Sequence, residues 1–378
     1  MRMNFYKRSI LPRLCFVPYF IVKVILSVMS SYYWFGSSRR RGEAVSHLCI
    51  EAGVRGWESI EFKELYQSAC EYLSAENVHR LVVSSDKDYP TQISDILNST
   101  PITHYLYDPR TENSDITVWR ALWQSFRVAM LLNKKGVVPI VFLTDLAVRA
   151  WRTQAAVVSA RKGVVVSFMS PKYVGPIFPH RRLLGPSLMP FSVGTLHKIN
   201  CIIEQRPKNI IPTAIFTGSL YEPRATKLEQ IRIGLARLGS VFEVKARAMG
   251  SARAPDVEYW SMLCNADIVV TTSDQAIQKV SDWNEIPHLI YRYLEVLASG
   301  ALLVAQDVPS VRRYFTPGVH FVSFDSLENA VEVIAYYLRD ETKRLSIAKQ
   351  GKERADALIS ARCFWVSIDS ALSSNSLL

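Results

Sequence analysis

Two clusters in the second half of this 378-residue chain combine residue types and spacings suited to holding a phosphorylated ligand. The first is Thr217-Gly218-Ser219-Leu220-Tyr221-Glu222-Pro223-Arg224-Ala225-Thr226-Lys227. A glycine straight after a strand lets a ligand approach the backbone, and the N-terminus of a following helix favours a phosphate. Arg224 and Lys227 then fall near the first turn and add positive charge. The second cluster is His288, Arg292 and Glu295, spaced i, i+4, i+7 in an otherwise apolar run. That spacing puts all three on one stripe of a helix. A charged stripe on a packed helix is expected to face a cleft. The structural alternative is an Arg292–Glu295 pair that satisfies itself at a sheet edge.

The elements that must position these groups are well marked. Pro287 stands where a first helical residue tolerates a missing N–H, and Gly300 where a helix ends in a left-handed residue. Leu289, Ile290, Tyr293, Leu294, Val296 and Leu297 cover most of the helix between them, which predicts an element packed on several sides. Apolar strands are predicted at 213–217, 242–245, 268–272, 302–305 and 321–324, with helices between and at 327–339, 342–358 and 363–372. The first half alternates in the same way. Strands are predicted at 47–52, 79–84, 102–107, 137–143 and 164–168, with helices at 59–74, 90–98, 116–133 and 146–160. In the third of these helices Trp119, Leu122, Trp123, Phe126 and Met130 recur at helical spacing and read as a core stripe. The proline-rich stretch 170–212 predicts few regular elements and holds the connection between halves. Its basic trio His180, Arg181 and Arg182 reads as a solvated loop. Strand–helix alternation on both sides of the connector argues for an α/β chain with two parallel sheets.

The run Arg292-Tyr-Leu-Glu295-Val-Leu-Ala-Ser-Gly300-Ala-Leu-Leu-Val304 continues through Val311-Arg-Arg-Tyr-Phe-Thr-Pro-Gly318 and Phe321-Val-Ser-Phe324. It resembles the sugar-nucleotide helix and following elements of GT-B glycosyltransferases. It is similar to the spore-maturation-protein-type and related glycosyl transferases group 1 families, over about residues 213–357. The resemblance implies two Rossmann-like domains facing a cleft. The expected division is a leader at 1–44, an acceptor domain at 45–192, a linker at 193–212, a nucleotide-sugar domain at 213–358 and a C-terminal helix and tail at 359–378. It further implies that Glu295 binds the ribose hydroxyls of the donor, and that Arg292 and His288, with Gly218, Arg224 and Lys227, lie at its diphosphate. In the retaining clan a second glutamate precedes the ribose glutamate by eight positions; here Pro287 stands there and Glu285 is two positions off. Anomeric outcome is therefore open. Loops at the carboxyl ends of parallel strands line the crevice, so Ser273, Asp274, Asp282, Trp283, Asn284 and Glu285 are candidates for sugar contacts.

An inverting reaction needs a general base, and Glu51, Asp108 and Asp145 follow predicted strands of the first half. The expected catalytic candidates are Glu285, Asp145 and Asp108, while Arg55 or Arg110 suits an anionic acceptor. Each acid alone also reads as a helix cap or surface charge. No Asp-x-Asp pair is present, so no metal and no cofactor is expected; the donor diphosphate would be neutralised by side chains and helix dipoles. The expected activity is transfer of a sugar from a nucleotide diphosphate sugar to a glycan, lipid-linked or protein acceptor. A nucleotide-sugar epimerase and a catalytically silent scaffold are the alternatives.

A formal net charge of +11 calls for an anionic partner, and scattered Lys and Arg without a recognition motif argue against nucleic acid. Residues 1–44 carry Arg2, Lys7, Arg8 and Arg13 before an apolar run from Leu14 to Met29, with Arg39-Arg40-Arg41 after it. Interrupted by Pro18 and Lys23, that run is shorter than a bilayer span of about 20 residues. It suits a leader lying in an anionic membrane surface, with a spanning anchor or a helix packed on the protein as alternatives. A cytoplasmic location, peripheral to the membrane, follows. The six cysteines form no Cys-x-x-Cys pair, and Cys49, Cys70, Cys201 and Cys264 read as small core residues.

Overall fold

The computed structural model describes residues 44–52, 60–84, 87–109, 118–143, 154–155, 157–159, 163–175, 178, 182–207, 211–247, 254–273 and 289–373. They form two compact units. The first takes the described residues up to Ser187 and again from Ala361; the second takes those of Leu188–Gln278 and Asn284–Ser360.

In the first unit, strands β1 (Leu48–Ala52), β2 (Val78–Val82), β3 (His104–Tyr107), β4 (Val138–Leu143), β5 (Val164–Ser167) and β6 (Arg182–Leu184) make one sheet in the order β2-β1-β3-β4-β5-β6. Every pairing is parallel. β4 and β5 are buried along their whole length, as expected of strands covered on both faces. Helices α1 (Ile60–Leu73), α2 (Tyr89–Ser99) and α3 (Val118–Lys135) connect the strands, and the short α4 (Pro171–Val174) precedes β6. The final helix of the chain, called α12 below (Ala361–Ser373), also belongs to this unit. Trp365 Nε1 donates to Ser68 Oγ at 3.1 Å, Asp369 accepts from Tyr72 Oη at 2.6 Å and from the Val45 N–H at 2.8 Å, and Arg182 donates to the Leu372 carbonyl.

The second unit holds β7 (Ala214–Ser219), β8 (Phe242–Arg247), β9 (Ile268–Thr271), β10 (Leu302–Gln306) and β11 (Val322–Phe324), in the order β11-β10-β9-β7-β8, again all parallel. Its helices are α5 (Val193–Glu204), α6 (Arg224–Arg237), α7 (Asp256–Cys264), α8 (Tyr291–Ser299), α9 (Pro309–Arg312), α10 (Leu327–Arg339) and α11 (Glu341–Leu358). Leu228, Ile231 and Leu235 of α6 join Ala330 and Ile334 of α10 and the strands in one apolar core. Asp267 anchors the entry to β7 and β9. It accepts from the Thr213 N–H at 2.9 Å and Arg206 Nη2 at 2.8 Å, and Arg344 lies 3.6 Å away.

The predicted strands form within a residue or two of their expected limits. The proline-rich stretch is more regular than predicted. β6 forms there as a three-residue edge strand, where prolines on either side cost no ladder bond. α5 forms inside the expected linker because Ser192 caps it, accepting from the Thr195 N–H at 3.2 Å. The aromatic stripe on α3 is corrected outright: Trp119 is 63% and Trp123 60% exposed, while Ala121, Gln124, Ser125, Val128 and Leu132 face the core. Among the cysteines, Cys49 and Cys264 are core residues but Cys70 and Cys201 are only half-buried. Burial raises the Cys49 thiol and pushes Cys264 up to about 12, which leaves both inert as nucleophiles at neutral pH. No helix among the described residues is long and apolar enough to cross a membrane.

Candidate functional site

In the second unit β7 has β8 on one side and β9 on the other, so the strand order reverses between β7 and β9. In such sheets ligands bind outside the carboxyl ends of the strands at that reversal. A cavity of about 400 Å³ opens there, lined among others by Gly218, Arg224, Lys245, Tyr259, Thr272 and Arg292. Each comes from a strand end or the first turn of a helix that the sheet sets in place.

Gly218 is the next-to-last residue of β7, with φ +147°. A Cβ there would press on the Phe216 ring at 3.2 Å and only touch Arg292 Nη2, at 3.8 Å, so glycine is favoured by the backbone angle and by Phe216. Arg224 opens α6 and is 9% exposed. Its Nε donates to Thr272 Oγ1 at 3.0 Å, Nη2 to the Thr272 carbonyl at 3.2 Å and Nη1 to the Ser219 carbonyl at 3.3 Å. These three bonds fix the side chain and tie β7 to β9. The guanidinium also lies 4.2 Å from the Tyr221 ring centre, a cation–π contact. Lys227, one turn further on, is half-buried and lies outside the cavity lining.

Helix α8 begins at Tyr291, with Ile290 as its N-cap, so the start expected at Pro287 is corrected by four residues. It ends as expected at Gly300, which adopts φ +75°. Of the expected stripe, Arg292 and Glu295 lie on α8, and His288 lies outside the described residues. Arg292 Nε meets Glu295 Oε2 at 3.1 Å, and the guanidinium lies 5.1 Å from the Tyr259 ring centre. Glu295 is almost wholly buried, one layer in from the cavity wall that Arg292 forms. Two atoms of this pair, Glu295 Oε1 and Arg292 Nη1, are buried without a hydrogen-bond partner among the described residues. Leaving such atoms unpaired costs about 1–3 kcal/mol each, which a self-contained structural ion pair would not incur.

Among the acids expected to be catalytic, Asp145 and Glu285 lie outside the described residues, as do Arg55, Arg110, His180, Arg181 and the loop candidates from Asp274 to Glu285. Asp108 follows β3 in the first unit and is fully buried. Its N–H donates to Glu51 Oε2 at 3.1 Å. Glu51 Oε1 accepts from Tyr105 Oη at 2.6 Å and also from Tyr89 Oη. Burial first, and the Glu51 charge second, hold the Tyr105 phenol well above its ordinary value, so it stays a donor. The sequence reading missed Tyr259, Lys245 and Thr272. An aromatic residue on α7 and a lysine on β8 carry no local motif, and only the sheet order brings them to Arg292.

Residues 224–362 match the family of glycosyl transferase-like proteins. No curated protein matches the chain in sequence. Among solved structures, Anabaena HepE in complex with UDP and glucose superposes with a TM-score of 0.58 at 13% identity, covering 87% of this chain and 100% of that one. Sucrose-phosphate synthase from Thermosynechococcus elongatus gives 0.55 at 12% identity, over 85% and 96% of the two chains. WaaG, a glycosyltransferase involved in lipopolysaccharide biosynthesis, gives 0.52 at 11% identity, over 87% and 100%. The architecture these likenesses establish is the GT-B fold. The chain therefore has the GT-B fold, and its residues 224–362 are similar to the glycosyl transferase-like family.

Proposed function

We propose that the chain transfers a sugar from a nucleotide diphosphate sugar, held in the cavity of the second unit, to a glycan or lipid-linked acceptor near an anionic membrane. The observation that carries this reading is the buried pair of unpartnered atoms beside that cavity, Glu295 Oε1 and Arg292 Nη1. An unpaired carboxylate oxygen seeks a donor such as a ribose hydroxyl, and an unpaired guanidinium N–H seeks an anionic oxygen such as a phosphate. A nucleoside diphosphate supplies both. Arg224 and Arg292 on the cavity wall, with Lys245 beside them although it also meets Glu243 at 3.2 Å, favour a dianionic ligand and offer the leaving diphosphate cationic donors without a divalent ion. Turnover is then expected to persist in excess EDTA; complete loss restored by magnesium or manganese would refute the metal-free part. Of the candidate bases Glu51, Asp108 and Asp145, the role is assigned to Asp145, since Glu51 and Asp108 are fully buried. HepE, of the same fold, has been crystallised with UDP-glucose, which makes uridine nucleotides the first donors to try.

The test is a thermal-shift screen of the purified chain against nucleoside diphosphates and nucleotide sugars. A donor at 100 times its Kd stabilises the fold by about 2.7 kcal/mol. One nucleotide series is expected to raise the melting temperature, and its sugar to be released or transferred; a flat response across the panel would leave a scaffold role instead.

A further inference from the structure

Helix α3 of the first unit is apolar on two opposite faces. Ala121, Val128 and Leu132 pack inward and are at most 5% exposed. At about 100° per residue, Trp119, Trp123, Phe126 and Met130 fall within an arc of about 60° on the opposite side. Trp119, Trp123 and Met130 are 63%, 60% and 48% exposed. The Trp123 and Phe126 rings stack at 5.7 Å with 21° between their planes, so part of the face is a preformed aromatic plate. A surface helix ordinarily turns a polar side to water; this one exposes its largest side chains instead.

The charge beside that face selects the occupant. Helix Val118–Lys135 contains Arg120, Arg127, Lys134 and Lys135 and no aspartate or glutamate. Arg120, Arg127 and Lys134 run along one flank of the aromatic arc, and Arg127 also meets Asp88 at 3.0 Å. Tryptophan and methionine beside a row of cations, with no acid on the helix, match the boundary between acyl chains and anionic headgroups. The chain as a whole carries +11, so its field adds to the attraction.

We propose that the outer face of α3 docks on an anionic lipid bilayer, seating Trp119, Trp123, Phe126 and Met130 at the headgroup boundary. This contact is separate from any made by residues 1–44 and independent of the donor reading. It fixes the face that the first unit turns to the membrane.

Residue-resolved oxidative footprinting of the full chain tests it, with the chain free, with vesicles of phosphatidylcholine and phosphatidylglycerol, and with phosphatidylcholine alone. Labelling of Trp119, Trp123 and Met130 is expected to fall at least threefold on the anionic vesicles, to recover in high salt, and to fall less on the neutral ones. Tyr336 of α10, 39% exposed, serves as the unaffected control. Unchanged labelling on vesicles that sediment the chain would overturn the proposal, because the leader alone would then carry binding. Weak labelling in free protein would also overturn it, since a second copy or the leader would already cover the face, and so would protection by a soluble oligosaccharide but not by vesicles.

Discussion

The two units present the same crevice twice and treat it in opposite ways. In the first, β1 lies between β2 and β3; in the second, β7 lies between β8 and β9, so both sheets reverse direction beside their first strand. Each places a buried glutamate near that reversal: Glu51 at the end of β1 and Glu295 on α8. Glu51 receives two phenols and a backbone N–H, which occupy both its oxygens. Glu295 has one oxygen on Arg292 and one left unmatched among the described residues. A carboxylate filled by its own chain holds structure together, whereas one left half-filled is poised for a ligand. Topology alone does not separate the two cases; the count of donors does.

The largest way to break the comparison is Glu51→Ala. It strands the Tyr105 hydroxyl in the core and takes an acceptor from Tyr89 and from the Asp108 N–H, and a buried donor left unpaired costs about 1–3 kcal/mol. A loss of about 3 kcal/mol is expected, read as a lower urea midpoint for the first unit's transition, since a two-unit chain need not unfold in one step. Glu51→Gln, which keeps an acceptor oxygen, should lose about half as much. A fully stable Glu51→Ala protein without transferase activity would mean that this carboxylate is functional after all.

Glu295→Gln should behave the other way. The side chain keeps its size, and the Arg292 left behind is still 17% exposed to water, so the stability change is expected to stay under about 1 kcal/mol. Donor affinity should fall at least tenfold, or about 1.4 kcal/mol, measured by calorimetry against the nucleotide found in the screen. Equal affinity in mutant and wild type would make Glu295 a structural partner like Glu51 and remove the ribose role.

How much of this was legible in the sequence depends on whether the signal was local. Strand periods, the Gly300 stop and the Arg292/Glu295 spacing are local, and all appear in the fold. The beginning of α8 was misjudged because a proline is permitted at a first helical position but does not require a helix to start there. The α3 stripe was misjudged for a deeper reason. Apolar residues at helical spacing show that a face exists, not which side of the helix the sheet covers, and this helix has two such faces. The Glu51 cluster was invisible because its donors come from positions 89, 105 and 108, brought together only by strand order.

A smaller effect is expected at Gly218, where the two reasons for glycine act together. A side chain at φ +147° is strained, and its Cβ would press on Phe216 at 3.2 Å. Gly218→Ala is therefore expected to cost about 1 kcal/mol in the second unit and to weaken donor binding by shifting the strand end and Phe216 at the cavity wall. Loss of stability with unchanged donor affinity would confine this glycine to a backbone role and move the diphosphate away from β7.

The smallest effect concerns pH and shows whether the second unit responds to acid through its site or through its frame. His320 Nδ1 accepts from the Thr316 N–H at 2.8 Å in the turn before β11, so that nitrogen must be unprotonated. Burial, and secondarily the Arg354 charge, lower the His320 pKa below its ordinary 6.5. A histidine whose folded pKa is depressed is protonated first in the unfolded chain. Its contribution is therefore complete above the unfolded value and declines as pH falls through about 6.5 toward the lower folded value. Wild type should lose under about 1 kcal/mol more than His320→Asn between pH 7.5 and pH 5, seen as a narrowing gap between their urea midpoints. His320 does not line the cavity, so donor affinity in the two proteins should follow one pH profile. If the variant alters that profile, the turn before β11 is coupled to Arg292 and the site is less self-contained than its geometry implies.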